Sequence, residues 1–234
     1  MRPIPRSERL IAALDVPSAA EARALAVALG DAVRFYKVGL ELFSADGYFE
    51  LIRWLVGRGN KVFADLKLFD IPETVRRATA NVAKSGASFL TVHAHRSVLE
   101  AAAAEKGALK ILGVTVLTSF DQSDLAEMGA TKPLDELVLD RARTALEARC
   151  DGVISSPLEA ARLKKAFGDK LLVVTPGIRP AGEAAGDQKR TVDVAQAFAN
   201  GSDYIVVGRP IRAARDPRAA ALAIQDTIAG VFRQ

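Results

Sequence analysis

Residues 63–74 read Phe-Ala-Asp-Leu-Lys-Leu-Phe-Asp-Ile-Pro-Glu-Thr, and the interpretation of the whole chain starts from this stretch. Apolar and charged residues alternate as far as Lys67, which predicts the end of a half-buried strand. Because alternate side chains of a strand share one face, we expect Asp65 and Lys67 to point the same way. Asp70 follows just beyond the strand. Two carboxylates and an ammonium are therefore gathered where a strand opens into a loop.

A purely structural interpretation of this stretch is open. Asp70 and Glu73 have the spacing of a helix N-cap with a capping box, and Pro72 suits the first helical turn. Asp65 and Lys67 could then form a structural ion pair. Charged residues are rarely buried without a partner, so these three side chains either form ion pairs with one another or belong to a functional site. The rest of the chain bears on that choice.

The composition limits the class of protein. The chain has 234 residues, of which 50% are hydrophobic and 26% charged, as in globular proteins of one large or two small domains. The net charge of +4 is spread along the chain without a dense basic run, which argues against nucleic acid as a partner. The single Cys150 excludes an intrachain disulfide and a cysteine-rich metal site. No signal segment or long apolar run is present, so we expect no membrane span and a cytoplasmic location.

Short apolar runs alternate with longer segments of helical period throughout the chain. We predict strands over residues 10–14, 34–39, 88–93, 110–117, 152–155, 170–175 and 203–208, and the third strand in chain order carries Asp65 and Lys67 at its end. Near-continuous apolar strands separated by helices indicate a parallel sheet covered by helices. Eight such units in one chain predict an α/β fold, a single-domain TIM (β/α)8 barrel over residues 1–234. An open doubly wound sheet is the alternative, although no glycine-rich dinucleotide fingerprint follows the first strand.

Polar residues recur at the carboxyl ends of the predicted strands, where TIM barrels carry their chemistry. They include Asp15, Lys37, Asp65, Lys67, His93, Thr118, Ser119, Ser155, Ser156, Arg179 and Arg209. Arginine offers forked donors that match phosphate oxygens, and Gly177 and Gly208 allow a close backbone approach. We therefore predict a phosphate site after strands seven and eight. The loop 176–190, which contains Gln188, is long enough to be a lid, the alternative being a mobile surface loop with two solvated arginines.

Residues 65–74 closely resemble the Asp-x-Lys-x-x-Asp-Ile-Pro-x-Thr signature of the orotidine 5′-phosphate decarboxylase family. The resemblance continues in family order through Asp15, Lys37, residues 117–119, residues 175–179, Gln188, Gly208 and Arg209. The shorter Asp-x-Lys-x-x-Asp pattern is less specific, because sugar-phosphate decarboxylases and aldolases of the same superfamily share it. One departure is the pair His95-Arg96, where bacterial members often have glycines, and it bears on the local geometry of the fourth helix.

The resemblance implies a reaction and a set of roles. Orotidine 5′-monophosphate would lose carbon dioxide to give uridine 5′-monophosphate, the last step of de novo UMP biosynthesis, with neither metal nor cofactor. Lys67 is implied as the proton donor to C6 of the pyrimidine. Asp65 and Asp70 are implied to hold Lys67 and Lys37 in an alternating charged array, with Asp65 beside the substrate carboxylate.

The remaining implied roles concern binding and assembly. Asp15 and Lys37 would bind the ribose hydroxyls, and Thr118 and Ser119 would face the pyrimidine. The phosphate would be bound by Arg179, Gln188, Gly208 and Arg209. A homodimer is implied, with Asp70 and Thr74 entering the partner's site.

Two other functions stay open at this point. A Mg²⁺-dependent phosphosugar enzyme of the same superfamily, such as 3-keto-gulonate 6-phosphate decarboxylase or hexulose phosphate synthase, would share the shorter pattern. The extension through Thr74 and the loop residue Gln188 argue against it. A barrel that only binds a nucleotide would keep the charged residues without turnover. The roles of His93 and His95 are not predicted.

Overall fold

A computed structural model describes residues 4–179 and 191–232 of the chain. The described residues form a closed barrel of eight parallel strands, each paired with the next along the chain. The first and eighth strands close the barrel, with Leu10 opposite Ile205. The predicted TIM barrel is therefore confirmed. The open doubly wound sheet is wrong, because such a sheet would leave these two strands as unpaired edges.

The strands are β1 (Leu10–Ala13), β2 (Phe35–Gly39), β3 (Lys61–Leu68), β4 (Phe89–His93), β5 (Lys110–Val114), β6 (Gly152–Ile154), β7 (Leu172–Thr175) and β8 (Tyr204–Val207). The helices are α1 (Ala19–Leu29), α2 (Leu40–Phe43), α3 (Tyr48–Gly57), α4 (Pro72–Lys84), α5 (Arg96–Ala104), α6 (Gln122–Glu127), α7 (Leu134–Glu147), α8 (Ala160–Phe167), α9 (Val194–Ala199), α10 (Arg209–Arg212) and α11 (Pro217–Val231). None of the helices within the described ranges combines the length and apolar character needed to cross a bilayer.

Aromatic side chains fill the amino-terminal half of the barrel. Phe35, Phe89 and Tyr204 each begin a strand, and the Phe89 ring centroid lies 4.9 Å from Phe35 and 5.2 Å from Tyr204 in edge-to-face contacts. The Phe63 ring centroid lies 6.1 Å from the Phe89 ring centroid. A second apolar layer lies between the strands and the helices. These rings fill the lower end, and the cavity inside the barrel lies toward the carboxyl ends of the strands.

Strand β3 divides its side chains between these two layers, as its alternation predicts. Val62, Ala64 and Leu66 are buried toward the helices. Asp65 and Lys67 face the interior cavity together with Phe63. The strand is irregular at its end, because its register with β4 shifts between Ala64 and Leu68. The predicted shared face of Asp65 and Lys67 is confirmed.

One predicted strand is too long. Strand β5 ends at Val114 and not at residue 117. Val114 pairs with Ile154, and the Thr115 N–H donates to the Ile154 carbonyl at the end of this pairing. The polar stretch 120–132 contains helix α6, which the periodicity did not indicate. That helix begins with a capping box, in which the Asp121 carboxylate accepts from the N–H of Asp124 and the Asp124 carboxylate accepts from the N–H of Asp121.

The predicted N-cap at Asp70 is also wrong. Helix α4 has Ile71 at its N-cap position and no side-chain capping hydrogen bond. Pro72 at the first helical position holds Ile71 extended, so the chain enters the helix one residue later than the capping box requires. Glu73 pairs with Arg76 and Arg77 on the helix surface. Asp70 is therefore not used as a helix cap.

Candidate active site

A cavity of about 510 Å³ opens at the carboxyl ends of the strands. Most of the predicted site residues line it: Asp15, Lys37, Asp65, Lys67, Thr118, Ser119, Arg179, Gly208 and Arg209. Asp70 and Thr74 are exposed and do not line it. Gln188 lies outside the described residues. The carboxyl ends of six strands, β1, β2, β3, β5, β7 and β8, thus bring together residues that are far apart in the chain.

Four charged side chains form a continuous array on one wall of the cavity. The Lys67 ammonium lies 2.9 Å from Asp65 Oδ2, and the Lys37 ammonium lies 3.5 Å from the same oxygen. Lys37 also donates to Asp15 Oδ1 at 2.8 Å. The order Lys67, Asp65, Lys37, Asp15 alternates in sign. Lys37, Asp65 and Lys67 of the predicted array thus lie together in one chain with Asp15 next to Lys37, and among the described residues Asp70 forms no ion pair with them.

Thr91 supports the array from strand β4, and the sequence analysis missed it. Its side chain is fully buried, its hydroxyl donates to Asp65 Oδ1 at 2.8 Å, and it accepts from the Lys67 backbone N–H at 3.0 Å. One hydroxyl therefore fixes both the carboxylate and the backbone that carries the ammonium. The only available signal was one polar residue among the apolar residues 89–92, and threonine is common in strands without any special role.

Lys67 has a left-handed backbone conformation, with φ of +47°. This region is unfavourable for a residue with a Cβ, and it tends to occur where the surrounding structure enforces it. The enforcing contacts here are the backbone hydrogen bond to Thr91 and the register shift between β3 and β4. The backbone strain is concentrated at the residue whose ammonium faces the cavity.

Burial and pairing act in opposite directions on the charges of the array. Burial alone would lower the pKa of Lys37, but Asp65 and Asp15 outweigh it and raise that pKa above its usual value. Burial would likewise raise the pKa of Asp65, but Lys37 and Lys67 outweigh it and hold that pKa below its usual value. Lys37 and Asp65 therefore stay ionised at neutral pH although both are buried.

The opposite wall is basic and lies after strands β7 and β8. Arg179, Arg209 and Gly177 line it, and Gly177 has φ of +80°, which glycine tolerates. A Cβ on Gly208 would lie 3.7 Å from Asp15 Oδ2, so this turn approaches the charged array. Arg212 also lines the cavity, and the sequence analysis did not identify it. The residues present match an anionic group bound at this wall.

The remaining polar residues at the strand ends have structural contacts. Ser155 donates to Glu159 at 2.6 Å, and the Ser156 N–H donates to the same carboxylate oxygen. The His93 ring packs 5.3 Å from Phe69, and burial, Arg141 and Lys67 all lower the pKa of His93. In the described part of the chain, no three histidine, cysteine or acidic side chains are grouped closely enough to bind a metal ion.

Comparison with known proteins decides the family. The sequence model described as "Orotidine 5'-phosphate decarboxylase / HUMPS family" matches residues 8–224. The chain belongs to this decarboxylase family. A protein of Methylococcus capsulatus named orotidine 5′-phosphate decarboxylase is 55% identical over 232 residues, which cover 99% of this chain and 96% of that protein. One of Rhodopseudomonas palustris with the same name is 51% identical and covers 97% of each chain.

Solved structures of the family share the architecture. The crystal structure of orotidine 5′-phosphate decarboxylase from Lactobacillus acidophilus superposes with a TM-score of 0.83 at 39% identity, covering 94% of this chain and 99% of that chain. The enzyme of the same name from Pyrococcus horikoshii gives a TM-score of 0.76 at 30% identity, covering 95% and 100%. The description of the family model also includes the HUMPS group. The family model alone therefore does not distinguish orotidine 5′-phosphate decarboxylases from other enzymes of the superfamily. The names of the full-length relatives favour the decarboxylase.

Proposed function

We propose that this chain decarboxylates orotidine 5′-monophosphate to uridine 5′-monophosphate in pyrimidine biosynthesis. The observation that carries the proposal is the Lys67 ammonium, held 2.9 Å from Asp65 in a cavity whose other wall is lined by Arg179 and Arg209. That arrangement offers a proton donor at one end and an anion site at the other. Full-length relatives at more than 50% identity carry the name of this enzyme.

Lys67 supplies both charge and a proton in this proposal. Loss of carbon dioxide leaves an electron pair at C6 in the plane of the pyrimidine ring, where no adjacent group delocalises it. A fixed ammonium next to that carbon stabilises the developing negative charge and then protonates it. The contacts of Asp65 and Thr91 fix the position of Lys67 before the substrate binds, so little reorganisation is needed during the reaction.

Asp65, Lys37 and Asp15 position the substrate in the same proposal. Asp65 stays ionised beside Lys67, so a substrate carboxylate placed near it is repelled, and the repulsion ends when carbon dioxide leaves. Asp15 and Lys37 present a carboxylate and an ammonium at 2.8 Å, which suits paired ribose hydroxyls. Thr118 and Ser119 offer hydroxyls toward the pyrimidine. Arg179, Arg209 and Gly208 would bind the phosphate, together with Gln188.

A homodimer and a cytoplasmic location complete the proposal. Asp70 is exposed between Phe69 and Ile71, whose side chains are 66% and 67% exposed. Large apolar side chains on both sides of an exposed carboxylate are typical of a surface that a second subunit covers. Asp70 and Thr74 would then reach the partner's cavity. Within the described part of the chain, the Asp70 carboxylate accepts only a local hydrogen bond, from the Ile71 N–H at 2.6 Å, and a partner's ammonium could replace this donor.

The reaction itself is tested by adding orotidine 5′-monophosphate to the protein in the presence of EDTA and following the ultraviolet absorbance of the pyrimidine. We expect turnover that the chelator does not reduce. A phosphosugar enzyme would leave orotidine 5′-monophosphate unchanged and would show an activity on a phosphosugar that depends on Mg²⁺ and that the chelator abolishes. Binding of uridine 5′-monophosphate without any turnover would favour the barrel that only binds nucleotides.

The role of Lys67 is tested with Lys67→Ala. We expect this variant to fold and bind uridine 5′-monophosphate, while decarboxylation falls by several orders of magnitude because both the fixed charge and the proton are lost. Lys61→Ala is the matched control, since Lys61 lies at the opposite end of the same strand. Retained turnover in Lys67→Ala would remove Lys67 from the role of proton donor.

A further inference from the structure

Arg212 lines the cavity on the same wall as Arg179 and Arg209. It is the last residue of the short helix α10, three residues after Arg209. Residues three apart in a helix lie on one face, so both guanidinium groups are directed to the same side. Pro210 and Ile211, between them, are buried and anchor the helix against the barrel. The anchoring fixes which face of the helix is presented to the cavity.

The charges that line the cavity are unevenly divided. They comprise five cationic side chains and two carboxylates, namely Lys37, Lys67, Arg179, Arg209, Arg212, Asp15 and Asp65. Both carboxylates are in contact with lysines, Asp15 with Lys37 and Asp65 with Lys37 and Lys67. The negative charge of the lining is therefore concentrated at the lysine end. The three arginines make the other part of the lining attractive to an anion.

Arg212 itself has no carboxylate within ion-pair distance among residues 4–179 and 191–232. Arg209 and Arg212 are like charges three residues apart on a helix, and such pairs repel each other. A phosphate dianion near both would offset the repulsion, because each guanidinium donates charge-assisted hydrogen bonds to its oxygens. A phosphate ligand would therefore give Arg212 the anionic partner that it does not have among the described residues.

We propose that Arg212 is a third phosphate-binding arginine, which selects phosphorylated over unphosphorylated pyrimidine ligands. The proposal deepens the function proposed above and rests on it, because it assigns one more residue to the phosphate end of the same cavity. A phosphate monoester has three terminal oxygens, so it can accept from Arg179, Arg209 and Arg212 together. The pyrimidine and ribose would contact the opposite wall and gain nothing from Arg212.

The test compares Arg212→Gln with Arg215→Gln by calorimetric titration with uridine 5′-monophosphate and with uridine. Arg215 is the matched control, because it carries the same charge three residues further on, is exposed and does not line the cavity. We expect Arg212→Gln to raise the Kd of the nucleotide about tenfold, the usual size of one lost charge-assisted hydrogen bond. The Kd of uridine should stay within about twofold, as should both constants in Arg215→Gln.

Several outcomes would overturn the proposal. One is a Kd of Arg212→Gln for the nucleotide within about twofold of the wild-type value. Another is an equal loss of affinity for uridine and for its monophosphate. A third is that Arg215→Gln loses as much affinity for the nucleotide as Arg212→Gln does. If the wild-type chain binds uridine 5′-monophosphate and only the Arg212 effect is missing, the proposed function stands without this residue. If the wild-type chain binds neither ligand, the proposed function fails, and this proposal fails with it.

The thermal stability of the unligated variant separates binding from folding. Because the substitution removes a repulsion and no ion pair, unligated Arg212→Gln should unfold at or above the wild-type temperature. Inorganic phosphate should then raise the unfolding temperature of Arg212→Gln less than that of Arg215→Gln. Equal increases in the two variants would count against a contact between Arg212 and phosphate.

Discussion

Thr91 connects the two residues on which the proposed chemistry depends. Its hydroxyl donates to Asp65 and accepts from the Lys67 backbone, and no water reaches it, since the side chain is fully buried. A valine has nearly the same shape but can make neither hydrogen bond. The contribution of this hydroxyl can therefore be measured separately from the packing of the side chain.

We predict that Thr91→Val lowers the free energy of unfolding by about 1–3 kcal/mol, because Asp65 Oδ1 loses its hydroxyl donor and the Lys67 N–H loses its acceptor. It should also lower kcat about 10–100-fold, since the Lys67 ammonium is held less firmly. Urea unfolding and steady-state kinetics measure the two effects.

Thr79→Val is the control for this experiment. Thr79 is also fully buried, but its hydroxyl has no hydrogen-bond partner among the described residues. Removing it should therefore leave stability unchanged or slightly increased. If Thr91→Val behaves like Thr79→Val, the hydroxyl of Thr91 does not hold the array.

The lowered pKa of His93 predicts how the free energy of unfolding depends on pH. Its pKa in the folded chain lies below the ordinary 6.5, because of burial first and then the charges of Arg141 and Lys67. Between the unfolded and folded pKa values the unfolded state binds more protons, so the free energy of unfolding falls as pH decreases from about 6.5 through the folded pKa. His93→Phe should reduce that dependence and keep the ring contact with Phe69.

The measurement is urea unfolding of both proteins at pH values above, within and below that range. On acidification the free energy of unfolding of the wild type should fall relative to that of His93→Phe, so the difference between the two proteins should depart most from its neutral-pH value at the acid end. Parallel curves for wild type and His93→Phe would show that protonation of His93 does not oppose folding.

The strand ends determine where the charges lie, and Gly39 at the end of β2 shows how little space they have. A Cβ on Gly39 would lie 3.0 Å from the Lys37 ammonium and 3.5 Å from Asp15. The nearest atom is the end of a flexible side chain, so the strand itself can accept an alanine while Lys37 has to move. The absent side chain of Gly39 therefore preserves the contact between Lys37 and Asp15.

We predict that Gly39→Ala lowers kcat/KM about 10-fold or more, because Lys37 is displaced, while the fold is retained. Gly230→Ala in helix α11 is the control, since a Cβ there meets no atom within 4 Å and alanine is the better helix former. Steady-state kinetics and thermal unfolding of both variants measure the outcome. If kcat/KM of Gly39→Ala equals that of the wild type, the displacement of the Lys37 side chain does not affect the reaction.

The sequence predicts elements best where the pattern is long. Strands β1 to β8 follow from apolar runs, and Asp15, Lys37, Asp65 and Lys67 follow from the position of each run's end. Helices α6 and α10 are too short to show a helical period, and the second carries Arg212. Thr91 could not be separated from ordinary strand residues, because its role depends on a contact with another strand.

At the scale of the whole molecule, one chain brings together most of the predicted site but not Asp70 and Thr74. Their side chains are exposed on the rim beside Phe69 and Ile71. A sequence pattern cannot tell on which subunit a rim residue acts, because the spacing is the same in both cases. In the proposed homodimer, Asp70 and Thr74 would lie at the cavity of the partner subunit. Mixing two inactive variants tests this arrangement.

We predict that Lys67→Ala and Asp70→Ala, each nearly inactive alone, regain activity when they are unfolded together and refolded. In a symmetric dimer with sites shared between subunits, a mixed dimer has one intact site and one site with both defects. Equal amounts that assemble at random should therefore reach about a quarter of wild-type activity. The decarboxylation rate of the mixture is the measurement, with each variant refolded alone as control. A mixture no more active than its components would place Asp70 in its own subunit's site, or in none.

The left-handed backbone at Lys67 also affects which amino acid occupies this position when a duplicated gene evolves. A copy released from decarboxylation would fold more easily with glycine at this position, since glycine adopts the conformation without strain. Genetic drift in such a copy should therefore remove the lysine early, even if nucleotide binding were kept. In a duplicated gene of this type, the amino acid at position 67 would report whether the product still turns over its substrate.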